Sequence, residues 1–175
     1  MYMSDFAKAI EEMIATHEGG FQKRADDPGN WTPNGELRGT KYGISARSFP
    51  DVDIELLTLK EAEELYRKVW GVFAALEDQR VLTKVLDLAV NMQWAGHGPA
   101  TKILQRAIIV CGGHLDVDGS FGPTTASEAN AIDPSWLIDA ICREAKAHYA
   151  EIEAAKPEMS SWFKAWNKRV GWKPV

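Results

Sequence analysis

The residues best suited to chemistry are carboxylates at the point where the first predicted helix ends. Residues 4–17 carry apolar side chains at helical spacing, and two glycines then interrupt the pattern, since glycine costs a helix about 1 kcal/mol. Glu18 stands at this break, and Asp26 and Asp27 follow in a polar loop. A glutamate held by a packed helix and facing such a loop is suited to general acid catalysis on a sugar. A solvated glutamate followed by a glycine cap is the alternative interpretation.

Two kinds of polar group are needed to break a glycosidic bond. One carboxyl donates a proton to the leaving oxygen, and a second polar group stabilises positive charge or activates water. The composition permits a division of roles, in which burial at a helix end would favour the neutral form of Glu18 and a wetter loop would favour the ionised form of Asp27. Thr32 and Thr40 complete the candidate set, and Thr40 on a short strand could hold the attacking water. A threonine in a strand needs no function, so a structural role remains the alternative.

Aromatic and amide side chains supply candidate substrate contacts. Trp31 and Tyr42 lie beside the acids in the sequence, where exposed rings could stack on sugars. Asn91 is a polar residue on a helix that is predicted to be buried, so it either contacts substrate or satisfies a neighbouring backbone group. Three further tryptophans lie on apolar helical faces and are predicted to belong to the core: Trp70, Trp94 and Trp136.

The composition predicts a folded chain with one core. The 175 residues are 45% hydrophobic and include seven tryptophans, which is typical of a globular protein rather than a disordered one. The net charge of −5 argues against a general nucleic-acid binder. Residues 155–175 nevertheless carry five Lys or Arg against Glu158. This basic segment is either a solvated helix face or a contact for an anionic polymer.

Metal chemistry, a disulfide framework and membrane insertion are not indicated. Cys111 and Cys142 lie among apolar residues, which predicts buried free thiols. The four histidines lack ligand spacing, and the turn at 116–119 lacks the remaining ligands of a calcium loop. No apolar run approaches the length of a membrane span, and the N-terminus lacks the pattern of a signal peptide. We therefore expect no cofactor, no bound metal and no stable membrane insertion.

Apolar periodicity and helix-start signals predict a mainly α chain with one small β region. Thr58 and Glu61 form a capping-box pattern at a helix start, and a proline after Asp133 predicts another start. Residues 18–50 are rich in Gly, Pro, Asn and Asp, which predicts a small hairpin or irregular sheet with loops. The helices are predicted over residues 4–17, from 58, over 80–93, after the 96–99 joint, from 123, over 134–154 and from 157.

Several motifs resemble glycoside hydrolase family 108, the N-acetylmuramidases of bacteriophage endolysins and prophages. In the N-terminal half they are Glu18-Gly-Gly-Phe21, Asp26-Asp-Pro-Gly29 and Gly39-Thr-Lys-Tyr-Gly-Ile-Ser45. In the C-terminal half a second set resembles the predicted peptidoglycan-binding region that accompanies this family: Leu104-Gln105, Val117-Asp-Gly119, Gly122-Pro-Thr124 and Trp166-Asn-Lys-Arg169.

The resemblance implies a lysozyme-like α+β fold, with a small N-terminal β region beside the active-site cleft. It implies a catalytic lobe at 1–96 and a helical, peptidoglycan-binding lobe at 97–175 within one compact domain. The family's catalytic glutamate falls on Glu18, and by analogy with phage lysozymes Asp27 and Thr40 take supporting roles. Residues 30–38 are inserted relative to the family pattern, so Thr32 is an alternative to Thr40, and Glu36 is an outside candidate for the second carboxylate.

The implied activity is hydrolysis of the β-1,4 bond between N-acetylmuramic acid and N-acetylglucosamine. The expected partner is the peptidoglycan glycan strand. We expect the protein to be a monomer and not to bind nucleic acid. By family resemblance the protein would accumulate in the host cytoplasm and act in the periplasm and cell wall after release by a separate holin-type protein. Three alternatives remain: a lytic transglycosylase, a peptidoglycan-binding module without catalysis, and a purely structural phage protein.

Overall fold

The protein is a mainly helical α+β structure, as the sequence predicts. The computed structural model describes residues 4–17, 20–92, 98–155 and 169–174. Two short antiparallel strands, β1 (Thr40–Lys41) and β2 (Ile44–Ser45), form the small N-terminal β region. The helices are α1 (Phe6–His17), α2 (Leu59–Trp70), α3 (Gln79–Met92), α4 (Gly98–Val110), α5 (Pro123–Asn130) and α6 (Pro134–Ala155), with 3₁₀ turns at Pro28–Asn30 and Gly71–Ala75.

Helix α3 is the centre of the fold. Residues 81–90 are all buried, as expected for a helix that is surrounded on every side. It packs against α1, α4 and α6, and α4 packs in turn against α6. One apolar core therefore includes side chains from both halves of the chain. The predicted boundary between lobes at 96/97 lies outside the described residues and stays a prediction.

Local signals fix the helix starts, and the predicted caps are confirmed. The Thr58 hydroxyl accepts a hydrogen bond from the Glu61 amide, while the Glu61 carboxylate accepts one from the Thr58 amide at 2.8 Å. At the start of α6, the Asp133 carboxylate accepts hydrogen bonds from the amides of the second and third helical residues. Such caps satisfy amides that have no partner within the helix.

A buried charged cluster fastens the C-terminal segment to α3. Lys84 and Asp87 are fully buried and lie within 3.8 Å of each other. The Lys84 ammonium donates hydrogen bonds to the carbonyls of Arg169, Val170 and Trp172, at 2.8–3.1 Å. The Asp87 carboxylate accepts one from Arg169 Nε. Each of the three charges has an opposite charge within 3.8 Å, which offsets part of the cost of burying these side chains.

Three predictions about burial are wrong. Cys111 and Cys142 are free thiols as expected, but both are half-buried rather than enclosed, since Cys111 lies just beyond the end of α4. Trp136 is 72% exposed because Leu137 and Ile141 take the core-facing positions of α6. The Trp70 side chain and all of Trp94 lie outside the described residues. Among the helices that are described, none is long and apolar enough to cross a membrane.

Candidate active site

The candidate site is built where the segment after α1 pairs with β1. The Gln22 amide donates to the Thr40 carbonyl at 2.9 Å, and the Thr40 amide donates to the Gln22 carbonyl at 2.8 Å. Gly39 makes this approach possible, because a Cβ there would lie 2.5 Å from the Gln22 carbonyl oxygen and its φ is +95°. A larger residue at 39 would strain the backbone and separate the two chains.

Two interlocked amide side chains form the middle of the site. Asn30 is fully buried, and its Nδ2 donates to Gln22 Oε1 at 2.7 Å and to the Arg24 carbonyl at 2.8 Å. Gln22 Nε2 donates in return to Asn30 Oδ1 at 3.0 Å. The buried amide thus has its hydrogen-bonding capacity filled, which fixes its orientation.

Asp27 attaches to Gln22 and Thr40 attaches to Asn30, at the hydrogen bond from Gln22 Nε2 to Asn30 Oδ1. Asp27 Oδ2 accepts a hydrogen bond from Gln22 Nε2 at 2.9 Å, and Oδ1 accepts one from the Gly29 amide at 2.8 Å. The Thr40 hydroxyl donates to Asn30 Oδ1 at 2.7 Å. We call these four side chains the amide network. It brings two of the predicted catalytic residues into one hydrogen-bonded unit.

The network determines which hydrogen bonds Thr40 can offer a ligand. Its single hydroxyl proton is directed to Asn30 Oδ1, so the oxygen is left as an acceptor. A water bound there would give one of its protons to Thr40 and keep a lone pair for attack. Asp27, which is half-buried, retains further acceptor capacity on both carboxylate oxygens. The pair is thereby suited to holding a water and stabilising positive charge.

A polar cavity of about 490 Å³ opens beside the network, lined by Gln22, Arg24, Asp26 and Asp27. Asp26 is exposed and forms a two-point ion pair with Arg24, with distances of 3.0 and 2.6 Å. The hydrogen bonds from Arg24 lower the pKa of this carboxyl. Asp26 therefore lies at the rim, with its charge balanced, while Asp27 belongs to the network.

Thr32 and Glu36, the alternative candidates, belong to a separate hairpin-like loop. The Thr32 hydroxyl accepts a hydrogen bond from the Glu36 amide at 3.0 Å, and the two residues also pair through their backbones. Thr32 is 6% exposed. The Glu36 carboxylate lies 2.8 Å from Arg38 and is largely exposed. The inserted segment thus closes on itself, and both residues have local structural partners.

The two candidate aromatic residues occupy different positions around the loop. Trp31 Nε1 donates to the Ala25 carbonyl at 2.9 Å, so the half-buried indole spans the loop that carries Asp27. Tyr42 and Gly43 have φ values of 51° and 75° and form the two-residue turn between β1 and β2. The Tyr42 ring packs partly against the core and has Lys41 Nζ 5.4 Å from its centroid.

The remaining two candidates lie elsewhere. Asn91, on α3, is half-buried and donates to the hydroxyl of Tyr149 on α6. Its partner is a side chain rather than the neighbouring backbone that the sequence suggested as an alternative. Glu18 lies outside the described residues, two positions before Gly20. Its role as the general acid stays a prediction from sequence.

Sequence reasoning missed Gln22 and Asn30, the two residues at the middle of the network. Neither carries a charge, and amides in loops are common, so composition gave them no weight. The available signal was position, since Gln22 follows the Glu18-Gly-Gly-Phe21 motif and Asn30 directly follows Asp26-Asp-Pro-Gly29. Within the described part of the chain, no group of three or more His, Cys, Asp or Glu is placed to hold a metal ion.

Two family models and a solved structure match the chain. Residues 11–92 match the family model described as glycosyl hydrolase 108, and residues 99–171 match the predicted peptidoglycan domain. No curated protein matches the chain. The solved structure of Brucella abortus SagA superimposes with a TM-score of 0.70 and 25% identity, covering 94% of this chain and 88% of that one. The likeness supports the lysozyme-like α+β fold. Through residues 11–92 the chain belongs to the glycosyl hydrolase 108 family, with a predicted peptidoglycan domain following at residues 99–171.

Proposed function

We propose that this glycoside hydrolase of peptidoglycan is an N-acetylmuramidase, which cleaves the β-1,4 bond between N-acetylmuramic acid and N-acetylglucosamine. The observation that carries the proposal is the amide network, which ties Asp27 and Thr40 to one buried amide pair. The network lies within the segment that matches glycosyl hydrolase 108. Preorganised polar groups of this kind stabilise the charge that develops in a transition state.

In the proposed reaction, Glu18 donates its proton to the glycosidic oxygen as the bond from the N-acetylmuramic acid C1 to that oxygen breaks. A water that donates a hydrogen bond to Thr40 attacks C1 from the opposite face, which inverts the anomeric centre. Asp27 stabilises the positive charge on the sugar ring and takes up the proton that the water releases. The products are a new reducing N-acetylmuramic acid end and a free 4-hydroxyl on N-acetylglucosamine.

We propose four substrate contacts, and the structural support for them differs. They are Trp31, Tyr42, Thr32 and Asn91. Trp31 has the best support, because its indole spans the loop that carries Asp27. Tyr42 lies at the tip of the hairpin that begins with Thr40. Thr32 and Asn91 have protein partners in Glu36 and Tyr149, which favours structural roles for both.

Product chemistry tests the bond that is cleaved. Purified sacculi are digested, the fragments are reduced with borohydride, and the terminal sugar is identified by mass spectrometry. A terminal muramitol at the mass of a hydrated end supports the muramidase. A terminal glucosaminitol shows cleavage of the other glycosidic bond and contradicts it. The initial anomer, followed by NMR, checks whether the reaction inverts.

The same digest separates two of the alternatives. A lytic transglycosylase uses one catalytic acid without adding water, so its product ends in anhydro-muramic acid and is lighter by one water. A wall-binding module leaves the sacculi intact while it pellets with them. The amide network favours the hydrolase because it supplies a water acceptor in Thr40, which a transglycosylase does not need.

We further propose an endolysin-type role in bacterial cell lysis, with phage or prophage origin. The motifs shared with family 108 are the basis of this step. In this role a monomer accumulates in the host cytoplasm, and a separate holin-type protein releases it to the cell wall. Expression alone should leave cells intact, and co-expression with a membrane-permeabilising protein should lyse them. Lysis by the protein alone would contradict the proposed release.

A further inference from the structure

A second polar cleft lies in the C-terminal region, away from the amide network. It has a volume of about 530 Å³ and opens between α4, α6 and the turn that precedes α5. Charged side chains dominate its walls: Lys102 and Arg106 from α4, His148 and Glu151 from α6, and Asp118 beside Gly119 from the turn. We call this the charged cleft.

The turn that borders the charged cleft is held rigidly by a buried residue. Gln105 is 2% exposed; its Nε2 donates to Asp118 Oδ1 at 2.7 Å, and its Oε1 accepts from the Gly119 amide at 2.9 Å. Gly119 has a φ of +79°, and a Cβ there would lie 3.0 Å from the Lys102 side chain. The glycine therefore lets the Lys102 stem lie against the turn, and the cleft has a fixed wall.

The cations of the cleft are available to a ligand. Lys102 and Arg106 are one helical turn apart on α4, and neither forms an ion pair with any residue in the described ranges. Burial and the nearby Arg106 lower the pKa of His148, while Glu151 acts in the opposite direction. The Asp118 carboxylate already accepts hydrogen bonds from Gln105 and the Ser120 amide. Two positive groups thus share the cleft with two carboxylates, those of Glu151 and Asp118, and both hydrogen bonds to Asp118 end on its Oδ1 atom.

The chemistry of peptidoglycan indicates which part of it suits this cleft. The amino sugars of the glycan strand are neutral, whereas the stem peptide carries carboxylates and, on its diamino acid, an ammonium group. We propose that the charged cleft binds the stem peptide, with Lys102 and Arg106 contacting its carboxylates and Glu151 its ammonium group. The inference rests on the proposed function, and it divides the substrate between two sites: sugars at the amide network and peptide at the charged cleft.

Titration of the full chain with a free tetrapeptide stem tests this proposal. Calorimetry gives the Kd, and a peptide-free chito-oligosaccharide serves as the second ligand. The double variant Lys102→Met and Arg106→Met should weaken peptide binding by at least about tenfold, since two charged contacts are lost, and leave the sugar affinity unchanged. Lys146→Met, which removes an exposed cation elsewhere on α6, is the matched control and should bind like wild type.

Peptide binding that the double variant retains, or that is absent from the wild type, overturns the proposal. Hydrolysis is measured in parallel on intact sacculi and on sacculi stripped of peptide by an amidase. Wild type should prefer the intact form, and the double variant should lose that preference. Hydrolysis without peptide binding contradicts only the charged cleft. Peptide binding without hydrolysis by the wild type contradicts the muramidase and leaves the cleft assignment standing.

Discussion

The amide network near β1 and the buried charged cluster on α3 both consist of polar side chains, but they differ in charge and in access to solvent. Three of the four side chains in the network are neutral; the network borders an open cavity and leaves acceptors on Asp27 and Thr40. The cluster consists of full charges with no access to solvent at Lys84 or Asp87. The network leaves hydrogen-bond acceptors that a ligand can contact. The side chains of the cluster instead bind one another and the C-terminal backbone.

The amide network and the charged cluster also show that a shifted pKa can mark a structural site as well as an active one. Burial lowers the pKa of Lys84 and raises that of Asp87, although their opposite charges act against both shifts. Strongly shifted groups often mark active sites, but structural ion pairs shift as well. Here the shifted pair faces the C-terminal backbone, so it fastens the fold. The comparison therefore predicts that substitutions in the network reduce activity and those in the cluster reduce stability.

Among substitutions in the amide network, Asp27→Asn should reduce activity most. Loss of the carboxylate charge should reduce sacculus hydrolysis by about 10²–10⁴-fold. Stability should fall by only about 1–3 kcal/mol, because an amide oxygen can accept the hydrogen bond from Gly29 or from Gln22, while the amide NH2 group faces the other donor. The control is Asp26→Asn, which removes an exposed charge that is paired with Arg24 and should leave the rate within about twofold. Equal losses of activity in the two variants would contradict the separate positions given to Asp27 in the network and Asp26 at the rim.

The largest expected effect on stability comes from Lys84→Met. It leaves Asp87 with one cation fewer and three backbone carbonyls without their donor. We expect a loss of about 3–5 kcal/mol in the free energy of unfolding, measured by urea denaturation. The specific activity of the folded fraction should stay near wild type, and Lys146→Met should change neither quantity. A drop in activity at unchanged stability would place the cluster in the active site.

Tyr149, whose pKa is affected by Asp87 of the cluster, should make the free energy of unfolding depend on pH. Burial raises its pKa from 10.0 to about 12, and the hydrogen bond from Asn91 opposes the shift. Since the unfolded chain releases this proton at lower pH, the contribution is complete below pH 10 and is lost as the pH rises towards 12. Unfolding free energies of wild type should fall more steeply across that window than those of Tyr149→Phe. Parallel curves would contradict the assignment.

The smallest effects separate the two candidate threonines. Thr40→Val removes the water acceptor and the hydrogen bond to Asn30, so activity should fall at least about tenfold, while Thr40→Ser retains most of it. Thr32→Val removes one local hydrogen bond to the Glu36 amide and should cost only about 1 kcal/mol of stability. A large activity loss in Thr32→Val alone would reverse the assignment.

Much of the fold could be predicted because its signals are local. The capping box at Thr58, the proline starts of α5 and α6 and the apolar run of α3 each depend on a few neighbouring residues. Burial was harder, because it depends on which helix lies opposite. Trp136 sits on an apolar segment, yet 72% of it is exposed, since Leu137 and Ile141 face the core.

The carboxylate and the hydroxyl of the candidate site could be predicted from the sequence, whereas its two amides could not. Asp27 and Thr40 were identified from residue type and motif, but their link passes through Gln22 and Asn30. That link requires Gln22 to pair with Thr40, 18 positions along the chain. Such long-range pairing leaves no mark on local composition. The partners of Lys84, more than 80 residues away, were hidden for the same reason.

The proposed mechanism depends on Glu18 as the general acid of a peptidoglycan hydrolase. The most direct test is the turbidity of permeabilised Gram-negative cells treated with wild type or Glu18→Gln, with folding checked by circular dichroism. We predict that wild type clears the suspension and that the folded variant does not. If the folded variant clears it equally well, or if both proteins only pellet with sacculi, the catalytic account is wrong.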